Sequence, residues 1–309
     1  MKKRGLNAAK QSLVGTTVQS NSVPSAGGSF RVIDSPRRQP GFSTASMYTP
    51  GGIVSGGDLL ANLQALGESC DSDMLSLYLD RAIELVPAMR GKEICLIIHH
   101  ISKNALQFVN FEKLNFFFSK IGKSQIAKMG PIDLSVGLNS LRRIAVAGGS
   151  TPGLARKMLD RVPLILGDFE NHHLAQILHA LSIFPDSVIY QEICQELHTH
   201  RNELRDFSPQ SLLMIAVAVD SLPVWTFLVD RVAEISPGQF QPKWPDIFLV
   251  RAATVPRLKV SLAFLEKMTT LVASQFRAKL IPVSRVEAAM EAAIHLGASP
   301  KVIRKLRLD

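Results

Sequence analysis

Residues 169–204 read FENHHLAQILHALSIFPDSVIYQEICQELHTHRNEL, which is the pattern of two amphipathic helices joined by a short turn. The first half has apolar side chains at the i, i+3, i+4 and i+7 spacing of one helix face, at Leu174, Ile177, Leu178 and Leu181. Pro185 and Asp186 predict the turn, because proline cannot continue a helix and aspartate caps the next one. The second half repeats the spacing at Tyr190, Ile193, Cys194 and Leu197.

The apolar spacing of the first helix recurs along the chain. Its first position falls at Leu59, Ile94, Leu134, Leu174, Leu212, Pro245 and Val286. Matching second helices begin their stripes at Leu75, Leu114, Ala155, Tyr190, Trp225 and Phe264. Because one hairpin cannot bury its own apolar face, such repeats must stack on their neighbours. The sequence therefore predicts an all-α fold: an α-solenoid of about six to seven antiparallel helix–turn–helix repeats, each of roughly 35 to 40 residues, over residues 58–309.

Residues 1–57 differ from the rest of the chain in composition. They are rich in Ser and Gly and carry seven basic residues against Asp34 alone. Such a segment has too few large apolar side chains to form a core, so we expect a disordered or extended basic N-terminal tail. The absence of acids before Asp34 resembles a mitochondrial presequence, whereas the alternative is a retained basic tail that binds an anionic partner.

The composition excludes several classes of protein. Three scattered cysteines, Cys70, Cys95 and Cys194, cannot form a disulfide framework, and no Cys-x-x-Cys pair suggests a zinc ribbon. The longest uncharged apolar run, residues 211–219, is far shorter than the roughly 20 residues that span a bilayer, so we expect no membrane insertion.

No catalytic motif of the metalloprotease, serine hydrolase, dinucleotide-binding or kinase type occurs, so we expect no enzyme activity, no cofactor and no small-molecule substrate. The pairs Cys95/His99 and Cys194/His198 have i, i+4 spacing but fall on different helix types in separated repeats. The neighbours His172 and His173 should point about 100° apart on a helix, which disfavours shared ligation. We therefore expect no metal site.

The charge distribution gives a stronger indication of a binding surface than the histidines give of a metal site. The chain has a formal net charge of +9, and residues 112–161 alone carry nine Lys and Arg against three acids. A basic ridge of this kind suits sequence-independent contact with nucleic-acid phosphate. The candidate RNA-phosphate contacts, in this segment and at the C-terminal end, are Lys120, Lys123, Lys128, Arg142, Arg143, Arg156, Lys157, Arg161, Arg304, Lys305 and Arg307. An ordinary solvated helix face remains the alternative interpretation.

The first helices HHLAQILHALSIFP, residues 172–185, and SPQSLLMIAVAVDSLP, residues 208–223, resemble those of organellar helical-repeat proteins, the octotricopeptide and FAST kinase-like RAP group. The resemblance extends over residues 58–293 and implies a role in mitochondrial or plastid RNA metabolism or in mitochondrial ribosomes. We therefore expect a non-enzymatic subunit of an RNA–protein assembly in the mitochondrial matrix, such as a mitoribosome or an RNA-processing complex. It would contact RNA and the protein subunits of that assembly. The alternative is a pure protein–protein scaffold, for example an accessory subunit of a respiratory or ATP synthase complex.

Overall fold

The predicted apolar stripes are the buried faces of helices. The protein is described from a computed structural model that covers residues 52–66, 71–199 and 207–306. Leu174, Ile177, Leu178 and Leu181 are each at most 5% exposed. The equivalent Ile94, Ile97, Ile98 and Ile101 are fully buried. Among the described residues there is no β-strand, so the prediction of an all-α fold is confirmed.

The structure contains a succession of short and medium-length helices. The first eight are α1 (Gly56–Leu66), α2 (Ser72–Leu85), α3 (Gly91–His100), α4 (Phe111–Lys120), α5 (Lys123–Ile126), α6 (Pro131–Val146), α7 (Pro152–Leu159) and α8 (Asn171–Leu181). The remainder are α9 (Ser187–Thr199), α10 (Pro209–Ala218), α11 (Leu222–Glu234), α12 (Trp244–Thr254), α13 (Leu262–Arg277), α14 (Val283–His295) and α15 (Pro300–Arg304). Helix α1 begins two residues before residue 58, the expected start of the helical-repeat domain, and the tail up to residue 51 lies outside the described residues.

Helices of the same kind pack in series. Each first helix contacts the first helix of the next unit, in the order α1, α3, α6, α8, α10, α12 and α14. Among the second helices, α2 contacts α4 and α4 contacts α7, and farther along α9 contacts α11 and α11 contacts α13. The two helices of a unit also contact each other, as α6 and α7 do. Every apolar stripe is therefore covered from more than one side.

The turns are built from capping side chains and prolines. Asp186 accepts hydrogen bonds from the amides of Val188 and Ile189, both at 3.1 Å, which confirms it as the cap of α9. Ser208 accepts one from the amide of Ser211 at 3.1 Å and caps α10. These caps satisfy amides that the first turn of a helix leaves unpaired.

The helices of the third unit approach closely at Gly137. A Cβ atom added there would lie 2.4 Å from the Met158 methyl group on α7 and 3.1 Å from Cys95 Sγ on α3. Glycine stands in α6 where the other stripes mostly carry larger residues, and this lets α6 lie against both neighbours. This packing fixes the course of α6, which carries the residues described next.

Candidate anion-binding site

Arg142 and Arg143 lie near the C-terminal end of α6. This helix starts with Pro131 at its first position and buries Leu134, Leu138 and Leu141 against its neighbours. Both arginines follow directly after the last of these leucines and are half-buried. The partial negative charge at a helix C-terminus favours cations there, so the local backbone is compatible with both charges.

Arg142 and Arg143 have no carboxylate partner in the part of the chain that the structure describes. Arg142 directs Nε towards Asn139 Oδ1 at 3.4 Å, and burial followed by repulsion from Arg143 lowers the pKa of Arg142 to about 10. Burial alone lowers the pKa of Arg143. Among the described residues, no Asp or Glu lies within ion-pair distance of either guanidinium. Removing charge from water without a partner of opposite charge costs free energy.

Two histidines on the neighbouring helices complete the cluster. On α3, His99 Nδ1 lies 3.2 Å from Ser140 Oγ, and burial, then Arg143 and Lys103, lower the pKa of His99 to about 4. On α8, the buried Nδ1 of His179 has no hydrogen-bond partner among the described residues, and burial, then Arg142 and Arg143, lower the pKa of His179 to about 3. Both imidazoles are therefore neutral at pH 7, and the positive charge of the cluster comes from the arginines and exposed Lys103.

The helix next to His99 is locally irregular. A π-helical turn, Ile101–Ala105, continues α3, and the Ser102 hydroxyl donates to the carbonyl oxygen of His99 at 2.9 Å. Such turns place side chains at angles that a regular helix does not provide. This turn carries Lys103, whose charge acts on His99.

We call the group formed by His99, Arg142, Arg143 and His179 the arginine–histidine cluster. Each guanidinium offers five N–H donors in a planar fork that matches the oxygens of phosphate or carboxylate. Burial strengthens hydrogen bonds to an anion, because less water competes with them. The arrangement can therefore hold an anionic group.

Several other candidate RNA contacts already have partners within the protein. Arg156 forms ion pairs with Asp160 at 3.1 Å and Asp186 at 2.8 Å. Lys157 donates to the carbonyl oxygen of Ile121 at 3.0 Å. Lys157 therefore connects α7 to the end of α4, and Arg156 connects α7 to the turn before α9. Both side chains join one unit to a neighbouring unit.

The remaining candidates divide by exposure. Lys120 lies 4.5 Å from the centre of the Phe116 ring, and Lys305 donates to Thr270 Oγ1 at 3.2 Å. Arg161 is half-buried, and its Nε has no hydrogen-bond partner among the residues that the structure describes. Lys120 is exposed, as are Lys123, Lys128 and Arg304. Arg307 lies outside the described residues.

The sequence analysis missed the two histidines of the cluster, although a signal for them exists. His99 and His179 both follow the first stripe position of their repeat by five residues, and Asn139 takes the same place in the repeat between them. Aligning the polar positions of the repeats, as well as the apolar ones, would have predicted a polar row across α3, α6 and α8.

The expected geometry of His172 and His173 was wrong. Their ring centres lie 3.8 Å apart with the planes tilted by 44°, because side-chain rotation in the first turn of α8 brings the two rings together. Glu170, the residue before that helix, lies beside them.

Cys95 and Cys194 are both buried, as expected for core cysteines, and burial raises the pKa of each thiol.

In comparisons with known proteins, no protein-family model and no curated protein matches the chain. Within the described residues, no helix has the length and apolarity that a membrane span requires.

Proposed function

We propose that the chain is a non-enzymatic α-solenoid of six to seven antiparallel helix–turn–helix repeats that serves as a mitochondrial subunit of an RNA–protein assembly. The serial packing of the first helices from α1 to α14 supports the solenoid arrangement, because stacked repeats contact mainly their neighbours. The assembly would be a mitoribosome or an RNA-processing complex. The solenoid would bind its protein partners, and its basic surface would contact RNA.

The observation that carries the RNA contact is the pair of half-buried arginines, Arg142 and Arg143, which have no carboxylate partner among the described residues. A phosphate group that binds between them supplies the missing negative charge and accepts N–H bonds from both guanidinium groups. Exposed Lys103, on the edge of the same cluster, extends the positive potential into solvent. Phosphate contact of this kind is independent of base sequence.

The first test measures the affinity of the full chain for fluorescently labelled single-stranded RNA across a series of salt concentrations. The double variant R142Q/R143Q should bind more weakly than the unmodified chain. The slope of log K against log salt should decrease in magnitude by about 1.4, since each phosphate contact on a single strand contributes about 0.7.

The matched control is K92Q/K259Q, which removes the same charge from two exposed lysines on α3 and after α12. It should leave both the affinity at intermediate salt and the slope nearly unchanged. Equal losses in the two double variants would show that only net charge matters. Absence of RNA binding by the unmodified chain at low salt would refute the proposed contact.

A protein scaffold without RNA contact is a second candidate, and exposed apolar side chains favour it. Leu77 on α2 is 52% exposed and Phe116 on the adjacent α4 is 51% exposed, at equivalent positions of their repeats. Affinity purification from mitochondria, with and without nuclease, separates the two candidates. Partners that nuclease releases support the RNA–protein assembly, whereas nuclease-resistant association with respiratory or ATP synthase subunits supports the scaffold.

A further inference from the structure

Three potential metal ligands lie together where α8 begins. Glu170 directly precedes the helix, and His172 and His173 occupy its first turn. One donor atom from each of the three side chains lies within 4.8 Å of the other two. The site is separate from the arginine–histidine cluster, whose α8 member, His179, lies farther along the helix.

The distances suit a small metal ion. His172 Nδ1 lies 3.4 Å from a carboxylate oxygen of Glu170. Two ligands of a tetrahedral zinc ion with bonds of about 2.0–2.1 Å are separated by roughly 3.3 Å, so little movement is needed to place an ion between these atoms.

His173 contributes a lone pair on Nδ1. Its Nδ1 accepts a long hydrogen bond of 3.3 Å from the amide of Glu170, which places the ring proton of the neutral imidazole on Nε2. An ion bound at Nδ1 replaces this hydrogen bond with a metal bond. The His173 ring is buried and packs edge-on against Phe169 at 6.3 Å between ring centres, so its position is set by the core.

Access and donor chemistry both point to a transition metal. The side chains of His172 and Glu170 are 50% and 75% exposed, so an ion reaches them directly from solvent. Two imidazoles and one carboxylate suit Zn²⁺ and its first-row neighbours, whereas Mg²⁺ and Ca²⁺ prefer sites made of oxygen ligands alone. The positive end of the α8 dipole weakens cation binding, and the carboxylate of Glu170 opposes that effect.

We propose that Glu170, His172 and His173 bind one divalent transition-metal ion, with water completing its coordination. This inference goes beyond the proposed RNA contact and does not depend on it. The ion would link the residue before α8 to the first turn of that helix, next to Phe169.

The test is calorimetric titration of the metal-stripped full chain with Zn²⁺, together with the visible absorption of Co²⁺ as a readout of coordination. The unmodified chain should bind one ion. H172A and E170Q, which change exposed side chains and leave the core intact, should each weaken binding by about tenfold or more, at least the loss typical of removing a second-shell partner.

The matched control is H295A, which removes an exposed histidine at the end of α14 and should bind Zn²⁺ as the unmodified chain does. Wild-type affinity in either H172A or E170Q overturns the proposal, as does an equal loss in H295A. R142Q/R143Q should retain full metal binding, so a failure of the RNA contact and a failure of the metal site give different results.

Discussion

Arg142 on α6 and His179 on α8 are electrostatic neighbours, and the guanidinium helps to hold the pKa of the imidazole far below its usual value. Burial of His179 is the larger cause, and within the described ranges its Nδ1 has no hydrogen-bond partner. The cluster thus keeps an imidazole uncharged beside two arginines. This relationship has consequences for both pH dependence and anion binding.

The stability of the protein should fall as the pH falls below the pKa that His179 has in the unfolded chain. The pKa of His179 is about 3 in the folded protein, against about 6.5 in the unfolded chain. Between these values the unfolded state binds a proton that the folded state does not, so the free energy of unfolding decreases from about pH 6.5 downwards. His179 as a residue is partly exposed, so we expect it to account for about 1–2 kcal/mol between pH 7 and pH 5.

Urea unfolding at pH 7, 6 and 5 measures this dependence. H179Q should make the curve less steep, since glutamine does not titrate, and the slope that remains should come from His99 and His173, whose pKa values are also lowered, to about 4. H295Q, which changes an exposed histidine on α14, should leave the curve as steep as in the unmodified chain. An H179Q curve as steep as that of the unmodified chain would contradict the assignment.

Removing one unpaired arginine should stabilise the free protein. R143M keeps most of the apolar stem of the side chain and removes a half-buried charge, so the free energy of unfolding should rise by about 1 kcal/mol. Polyphosphate should raise the Tm of the unmodified chain, because a ligand of the folded state stabilises it, and this increase should shrink in R143M.

R156M serves as the control for this measurement. Arg156 is exposed and paired with Asp160 and Asp186, so its replacement should destabilise slightly or have no effect, and it should leave the response to polyphosphate intact. Stabilisation by R156M to the same extent as by R143M would show that net charge alone is responsible.

Arg251 should be necessary for the junction between α10 and α12. Its side chain is 5% exposed, and it donates Nε to the Ala216 carbonyl oxygen at 3.1 Å and Nη2 to Asp220 at 2.7 Å. R251M leaves both acceptors without this donor, so we expect a loss of about 1.5–3 kcal/mol in chemical denaturation. R277M, at an exposed position near the end of α13, should change stability by less than about 0.5 kcal/mol.

Gly137 should tolerate no large side chain. The atoms that a Cβ would meet belong to Met158 and Cys95 on two different helices, so the larger side chain of G137L must displace these side chains or move α6 away from α7 and α3. We expect a loss of about 1–3 kcal/mol or more, measured by thermal and chemical unfolding. G153L at a glycine with open space around it is the comparison, and it should be close to neutral. A G137L variant as stable as G153L would show that the helices separate at no cost.

The helices and their buried faces could be predicted because they depend on local spacing. Leu174 and Ile177 are buried because they lie on one face of a helix. A helix has 3.6 residues per turn, so this spacing places both side chains on the face that is removed from water. The cap at Asp186 was also predictable, because it joins groups within three residues of one another. Such features form between groups that are close together in the sequence, so they can be predicted from it.

The site depended on contacts between distant residues. The sequence predicted that Arg142 and Arg143 contact phosphate together with Lys157 and Arg161. In the structure, the neighbours of the arginine pair include His99 and His179. Lys157 donates instead to a carbonyl oxygen of another unit. Which charges find a partner within the protein is decided only when helices some 40 residues apart are brought into contact.

The sequence by itself determined an all-helical chain with repeated apolar stripes, because helix formation and burial follow from side-chain periodicity within one or two turns. Only the tertiary structure decided which polar groups share a neighbourhood. In the part of the chain that the structure describes, it left Arg142 and Arg143 without a carboxylate and brought His172 and His173 together with Glu170. The physical reason is that charge interactions and metal coordination depend on distances of a few ångströms between side-chain atoms. Those distances are set by side-chain rotation and helix packing, which sequence spacing does not encode.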